Sequence, residues 1–308
     1  MCYALNDRMH IPDGFLSTPV WATLNLASVP AVGYMARRAQ QQLEESRIPR
    51  LGVMGAFVFA AQMINFAVGL GTSGHLVGGT LLAVTLGVPS AAVVMTAILA
   101  VQALVFQDGG ILALGANVFN MAIIGVLAGY LPYHLWGGGS WRRAAIFCGG
   151  VLSLLVSALL AIAELIASGV AIRGAVLGAS MLVFLVNAIL EGAITLAVVE
   201  AVERLNPNWV RRPEPARDWA GGLLILGAVV LAVVGVLLAS SAPDGLERMA
   251  ENLGIAEHAR NLLPSAFPDY EAEWLRGDWL KKATAGLVGL ALIYILCHGA
   301  GRLLARRS

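Results

Sequence analysis

Ala144-Ala145-Ile146-Phe147-Cys148-Gly149-Gly150-Val151-Leu152-Ser153-Leu154-Leu155-Val156-Ser157-Ala158-Leu159-Leu160-Ala161-Ile162-Ala163 carries no charge from end to end. An apolar run of this length matches the ~20 residues that a helix needs to cross a bilayer. Comparable runs flank it on both sides. The spans expected from them are residues 17–36, 51–71, 76–88, 89–107, 111–133, 144–168, 174–201, 219–240 and 283–303. The expected fold is therefore all-α, a polytopic membrane helix bundle of about nine transmembrane helices. The run at 76–88 is short for an upright crossing, unless it starts in the 71–75 turn or Gly87-Val88-Pro89-Ser90 makes a tight connection.

The whole-chain composition fits the same solvent. Hydrophobic residues make up 58% of the sequence and charged residues 13%, where soluble domains carry ~25% charge. The mean hydropathy is +0.77. The formal net charge is +1, with no run of lysine or arginine to track phosphates, so nucleic-acid binding is not expected. Cys2, Cys148 and Cys297 are isolated and form no metal or disulfide framework.

Arginines set the orientation. Arg37, Arg38, Arg47 and Arg50 lie between the first two runs, Arg142 and Arg143 after the fifth, and Arg204, Arg211, Arg212 and Arg217 after the seventh. Arg302, Arg306 and Arg307 close the chain. With nine alternating helices all four groups fall on one face, which the positive-inside rule makes cytoplasmic. The N-terminus is then outside and the C-terminus inside. His10, the turn bearing His75, the turn at Gln107-Asp108-Gly109-Gly110 and the 241–282 loop all fall on the outer face.

Two of the five histidines stand in turns on that face. A free amine at Met9, the deprotonated amide of His10 and its imidazole Nδ1 would close adjacent chelate rings on one ion, and His75 would supply a fourth nitrogen. Four nitrogens in a plane suit Ni(II) or Cu(II) rather than tetrahedral zinc. The plainer alternative is a pair of interfacial polar residues. Residues 1–8 do not read as a secretory signal and are expected to be a leader or an upstream start, with translation beginning at Met9. His134 and His298 read as interface or packing residues, and His258 as a solvated residue of the outer loop.

Met9-His10-Ile11-Pro12-Asp13-Gly14-Phe15-Leu16, the 71–79 stretch Gly-Thr-Ser-Gly-His-Leu-Val-Gly-Gly, Phe106-Gln107-Asp108-Gly109-Gly110, Ala113-Leu114-Gly115-Ala116-Asn117, Asn187 and Glu191-Gly192 together resemble the CbiM/NikM family. These are the substrate-capture (S) subunits of energy-coupling factor transporters, a class of ABC importer, for nickel and cobalt. The resemblance covers roughly residues 9–205. It implies a helical bundle in the prokaryotic cytoplasmic membrane whose outer pocket binds one divalent ion through an N-terminal amine, the amide and imidazole of the second residue, and a later histidine. Carried onto this sequence, the ligands are Met9, His10 and His75. The resemblance also implies a transmembrane coupling (T) subunit and ATPase (A) subunits as partners.

Residues 206–218 read as a cytoplasmic linker. The stretch opening Pro243-Asp244-Gly245-Leu246-Glu247 resembles the PDGLE accessory module of the same transporters, here over 219–308, with two helices flanking an outer loop. The acids of that loop, among them Asp244, Glu247, Glu251 and Asp269, are expected to be solvated, and the loop to hold or release the N-terminal metal segment. Within the spans, Gln62, Asn117, Asn120 and Asn187 are costly in hydrocarbon and are expected to face the bundle interior. One of these amides is expected to accept a hydrogen bond from His10 Nε2–H behind the metal, or to bond helix to helix.

No nucleotide-binding GxxxxGK[ST], HExxH or GxSxG motif occurs, so no enzymatic activity and no bound cofactor are expected. An intramembrane hydrolase fails for want of a nucleophile beside Asp108 or the histidines. The expected cargo is Ni(II) in preference to Co(II). Alternatives are cobalt uptake for cobalamin synthesis and a self-sufficient secondary metal transporter, for which Glu164 and Glu191 are the available intramembrane carboxylates.

Overall fold

The computed structural model describes residues 10–69, 71–210, 226, 229–230, 232–233 and 242–305. Residues 1–8, Met9, Arg211, Arg212, Arg217, Arg306, Arg307 and most of the expected 219–240 span lie outside the described residues.

The chain is mostly helical. Helix α1 spans Thr18–Gln42 and α2 Ile48–Gln62. Strands β1 (Phe66–Gly69) and β2 (Thr72–Gly74) follow, then α3 (Gly79–Leu86). Four long helices come next: α4 (Val88–Phe106), α5 (Leu114–Trp136), α6 (Arg142–Ala167) and α7 (Gly174–Leu205). After the described residues resume, α8 covers Gly245–Leu253 and α9 Asp278–Leu304. Among the described residues, five helices are long and apolar enough to cross a bilayer: α4, α5, α6, α7 and α9. The outward faces of α1, α6 and α7 expose Leu26, Val29, Leu159, Leu182 and Ile189, as lipid contact requires.

Two departures from the sequence expectation bear on the site. The run at 51–71 is not one helix: α2 stops at Gln62, and Phe66 pairs with Gly74 and Ala67 with Ser73 in an antiparallel hairpin. An apolar run alone does not separate a helix from a short buried strand, and the glycines at 69, 71 and 74 favour the turn. Helix α3 has only eight residues, about 12 Å at 1.5 Å per residue, against a hydrocarbon core of ~30 Å. It joins α4 through Gly87 alone, whose φ of 81° is a conformation that glycine adopts without strain. The tight connection at 87–90 is therefore real, while α3 itself is a buried half-helix.

The elements converge at two ends. Gln42, Arg50, Gly87, Tyr133 and Trp209 line one cavity, and Arg50 sits over the Trp209 ring at 5.0 Å. Near this end Arg142 pairs with Glu203 and Arg143 with Glu200, tying the start of α6 to the end of α7. The opposite end gathers residues 10–13, 73–78, 107–113 and 244–270, and there the two turn histidines meet.

Candidate metal centre

The N-terminal segment is bound edge-on to the turn before α5. Gly110 N donates to Ile11 O at 2.8 Å. Asn117 grips both main-chain polar groups of the same residue: Ile11 N donates to its Oδ1 and its Nδ2 donates to Ile11 O, each at 3.1 Å. The buried Asp13 carboxylate accepts the N–H groups of Ile111 (2.9 Å), Leu112 (2.8 Å) and Ala113 (3.2 Å). These donors lead into the N-terminus of α5, where an anion is favoured. The fit depends on glycine, because a Cβ at Gly110 would fall 2.2 Å from Asp13 Oδ1. On its other side Asp13 O accepts Arg260 N at 2.9 Å, so the segment lies between the two halves of the chain.

His10, 2% exposed, is carried into the interior by this clamp. Its Nδ1 lies 3.0 Å from Asp108 Oδ1, off the direction of an aligned hydrogen bond, and its Nε2 is buried without a hydrogen-bond partner. Tyr270 donates its hydroxyl to Asp108 Oδ2 at 2.6 Å and stacks on Phe106 at 4.7 Å. Burial opposes ionisation of Asp108, but the charge and contact of His10, the Tyr270 hydrogen bond and the charge of His75 together hold its carboxyl below the usual carboxylate range. Burial pushes the Tyr270 hydroxyl well above its ordinary value, and the Asp108 charge adds to this.

His75 follows β2, is 8% exposed, and places its ring centroid 6.0 Å from that of His10. Its Nδ1 is 3.2 Å from Leu76 O, and its Nε2 is 3.9 Å from Asp244 Oδ2. Burial pushes the Asp244 carboxyl up to about 7, with the nearby Asp108 charge in the same direction and backbone N–H donors opposing. The backbone just past His75 is fixed from below. Glu191 accepts Val77 N at 2.7 Å and Gly78 N at 2.9 Å, and Gln62 donates to Val77 O at 2.8 Å.

His10 and His75 therefore line one cavity, together with Asn117, Asn120, Asn187 and Asp244. Met9 lies outside the described residues. Among the described residues no three His, Cys, Asp or Glu side chains form a ready metal cage. The amides have other work than orienting His10. Asn117 holds Ile11, Gln62 bonds Val77 O and accepts from Gln102 at 3.0 Å, and Asn120 donates to Glu164 at 2.9 Å. Asn187 lies directly beneath Gly74, where a Cβ would meet its Oδ1 at 2.3 Å.

Sequence reasoning missed the partners of the two imidazoles. The sequence places Asp108 in an outer turn, Asp244 and Glu247 in a solvated loop, and singles out no role for Tyr270, yet Asp244 and Glu247 are each 4% exposed. A signal for Asp244 was present in the repetition of Pro-Asp-Gly at 12–14 and 243–245. In both copies the aspartate receives backbone N–H groups, and Asp244 Oδ1 accepts Glu247 N at 2.7 Å to cap α8.

The chain is similar to known proteins. The CbiM family model, described as cobalt uptake substrate-specific transmembrane region, matches residues 10–209, and the PDGLE domain model matches residues 218–306. A chain of Archaeoglobus fulgidus named for fused nickel transport (NikMN) is 34% identical, covering 94% of this chain and 96% of that one. The fused nickel transport protein NikMN of Rhodobacter capsulatus is 30% identical, covering 92% and 95%. A crystal structure titled as a transition metal transporter is 34% identical with a TM-score of 0.58, over 65% of this chain and 94% of that one.

Proposed function

Since the chain belongs to the CbiM family and carries a PDGLE module behind the family region, we propose that it is the substrate-capture subunit of an energy-coupling factor importer for a divalent transition metal. Ni(II) is the preferred cargo over Co(II). His10 and His75 bind the ion on the outer face with the amide of His10 and, with translation beginning at Met9, the amine of that residue, and release it inward when a transmembrane coupling subunit and ATPase subunits act. The chain crosses the membrane about nine times, counting as one crossing the short α3 together with the extended stretch from His75 that leads into it, with its N-terminus outside and its C-terminus in the cytoplasm.

One observation carries this reading. Two histidines far apart in sequence bring their rings to 6.0 Å in a buried cavity, and neither ring nitrogen of His10 has a hydrogen-bond partner there. Neutral imidazole nitrogen is the commonest metal ligand in proteins. The names of the fused relatives favour nickel, as does the planar nitrogen set. A self-sufficient transporter needs an intramembrane carboxylate path. Glu191 is instead engaged by two backbone N–H groups and Glu164 by Asn120.

The test is nickel accumulation by cells producing this chain together with coupling and ATPase subunits. His10→Ala and His75→Ala are each expected to abolish accumulation while the protein remains in the membrane. Undiminished accumulation by both variants overturns the site.

A further inference from the structure

The cavity at the end of the bundle away from the histidines is cationic. It measures about 250 Å³, and Arg47 and Arg50 both stand on its wall, with Ser90, Tyr130 and Trp209. Among its described lining residues there is no carboxylate. The Arg50 guanidinium lies 5.0 Å from the centre of the Trp209 ring, and among the described residues its hydrogen bond runs from Nη1 to Trp209 O at 3.3 Å. A guanidinium carries five N–H donors, so the greater part of this fork is not engaged by protein. Arg47 Nε is buried without a hydrogen-bond partner, while the Glu44 carboxylate stands 3.6 Å from it on an exposed side chain.

Nothing local balances this charge. Like charges three positions apart on a helix repel each other. The end of α3 and the start of α4 meet at Gly87, so their opposite dipoles offset, and the start of α2 adds further positive potential. The space stays open at Gly87, where a Cβ would meet nothing within 4 Å.

The surroundings decide which anion fits. Helix α5 brings Tyr130 and Tyr133 to the cavity and turns Leu127 and Leu131 outward, 43% and 52% exposed. The cavity is thus bordered by a lipid-facing surface, and Leu43, Leu51 and Leu86 line its apolar side. A ligand with an anionic head and an apolar tail uses the whole wall. A free phosphate uses only the cationic part.

We propose that this cavity binds the headgroup of an anionic phospholipid from the leaflet at this end, the inner one on the orientation proposed above. Arg47 and Arg50 take the phosphate oxygens, and the leucines take the glycerol end of the acyl chains. Arginine recognises phosphate through paired N–H donors, and basic pockets between membrane helices on the cytoplasmic side hold such headgroups. The bound lipid ties the start of α2 to the α3–α4 junction and to α5.

The test is native mass spectrometry of the purified full-length chain in detergent, titrated with phosphatidylglycerol. One phosphatidylglycerol is expected to stay bound where phosphatidylcholine does not, and to raise the thermal unfolding midpoint. Excess inorganic phosphate is expected neither to displace the lipid nor to raise the midpoint; if it does both, the lipid assignment is overturned. Arg47→Gln combined with Arg50→Gln is expected to weaken retention by about 10-fold or more. Because Arg50 also packs on Trp209, a second variant keeps both arginines. Ser90→Glu sets a carboxylate in the cavity at the start of α4, where a helix accepts one, and is expected to weaken retention as much. A single cooperative unfolding transition reports an intact fold in each variant, and unchanged retention in Ser90→Glu and the arginine variant overturns the proposal. Arg37→Gln combined with Arg38→Gln, near the same end but outside the cavity, is expected to retain the lipid. Equal loss there reduces the effect to diffuse surface charge and also overturns it. If no phosphatidylglycerol is retained and the arginine variant instead weakens association with a coupling subunit, the cavity receives a protein carboxylate and the proposal fails.

Discussion

Asp108 stands between His10 and Tyr270, with one carboxylate oxygen 3.0 Å from the imidazole Nδ1 and the other holding the phenol hydroxyl at 2.6 Å. The residue that orients a proposed ligand is thus itself oriented by a side chain from the far end of the sequence. A buried carboxylate beside an imidazole restrains the ring and favours its protonated form.

Tyr270→Phe removes only the hydroxyl. Asp108 keeps its burial but loses a charge-assisted hydrogen bond, at a cost of about 1.5–3 kcal/mol. Because the carboxylate then turns more freely, Ni(II) affinity measured by equilibrium titration of the full-length chain is expected to fall by about 10-fold. Affinity equal to that of the unsubstituted protein would show that Tyr270 serves only to stack on Phe106.

Asn117→Ala deletes both side-chain hydrogen bonds to the main chain of Ile11. The expected result is faster deuterium exchange at the N–H of Ile11 and neighbouring residues, reporting a released N-terminal segment. Nickel accumulation in cells should drop with it. Retained protection at Ile11 would mean that Asp13 and Gly110 suffice to hold the segment.

Gly110→Ala drives a methyl group toward Asp13 Oδ1, and neither the anchored carboxylate nor the N–H groups around it can yield cheaply. The substitution is expected to displace the segment carrying His10 and to reduce nickel accumulation as severely as His10→Ala. Gly138→Ala, where a Cβ meets nothing within 4 Å, is the control and should leave accumulation unchanged.

Glu191→Gln keeps the shape of the side chain but turns an amide N–H₂ toward one of the Val77 and Gly78 N–H donors. One of these two buried hydrogen bonds is lost, at about 1–3 kcal/mol. The His75 segment is loosened from below, so weaker Ni(II) binding in a still-folded protein is expected. A thermal unfolding curve in detergent beside the titration separates loss of fold from loss of site.

Much of this could be read before any coordinates. Apolar length revealed the long helices α4, α5, α6, α7 and α9, because burial in lipid imposes itself residue by residue. The histidine pair was legible because both stand in turns, and turn chemistry is local. The 66–74 hairpin was not, since its residues are as apolar as those of a helix and only cross-strand pairing distinguishes them. The assignments of Gln62, Asn117 and Glu191 were also hidden. A buried polar side chain announces that it must have a partner, but not which backbone group that partner is. Asp244 and Tyr270 were hardest of all, since each acts on a residue more than a hundred positions away.

Ser73 N donates to Pro243 O at 2.8 Å, and this fastening of the hairpin to the PDGLE segment gains a further meaning from the covalent continuity of the chain. Were the two modules separate proteins, that contact would form and dissolve with their abundance in the membrane. Within one polypeptide it is an internal equilibrium, governed by an effective concentration on the order of millimolar for a short tether. The fraction of molecules with Asp244 beside His75 is then insensitive to expression level. Every copy carries its own cover, in a ratio that no imbalance of synthesis can upset.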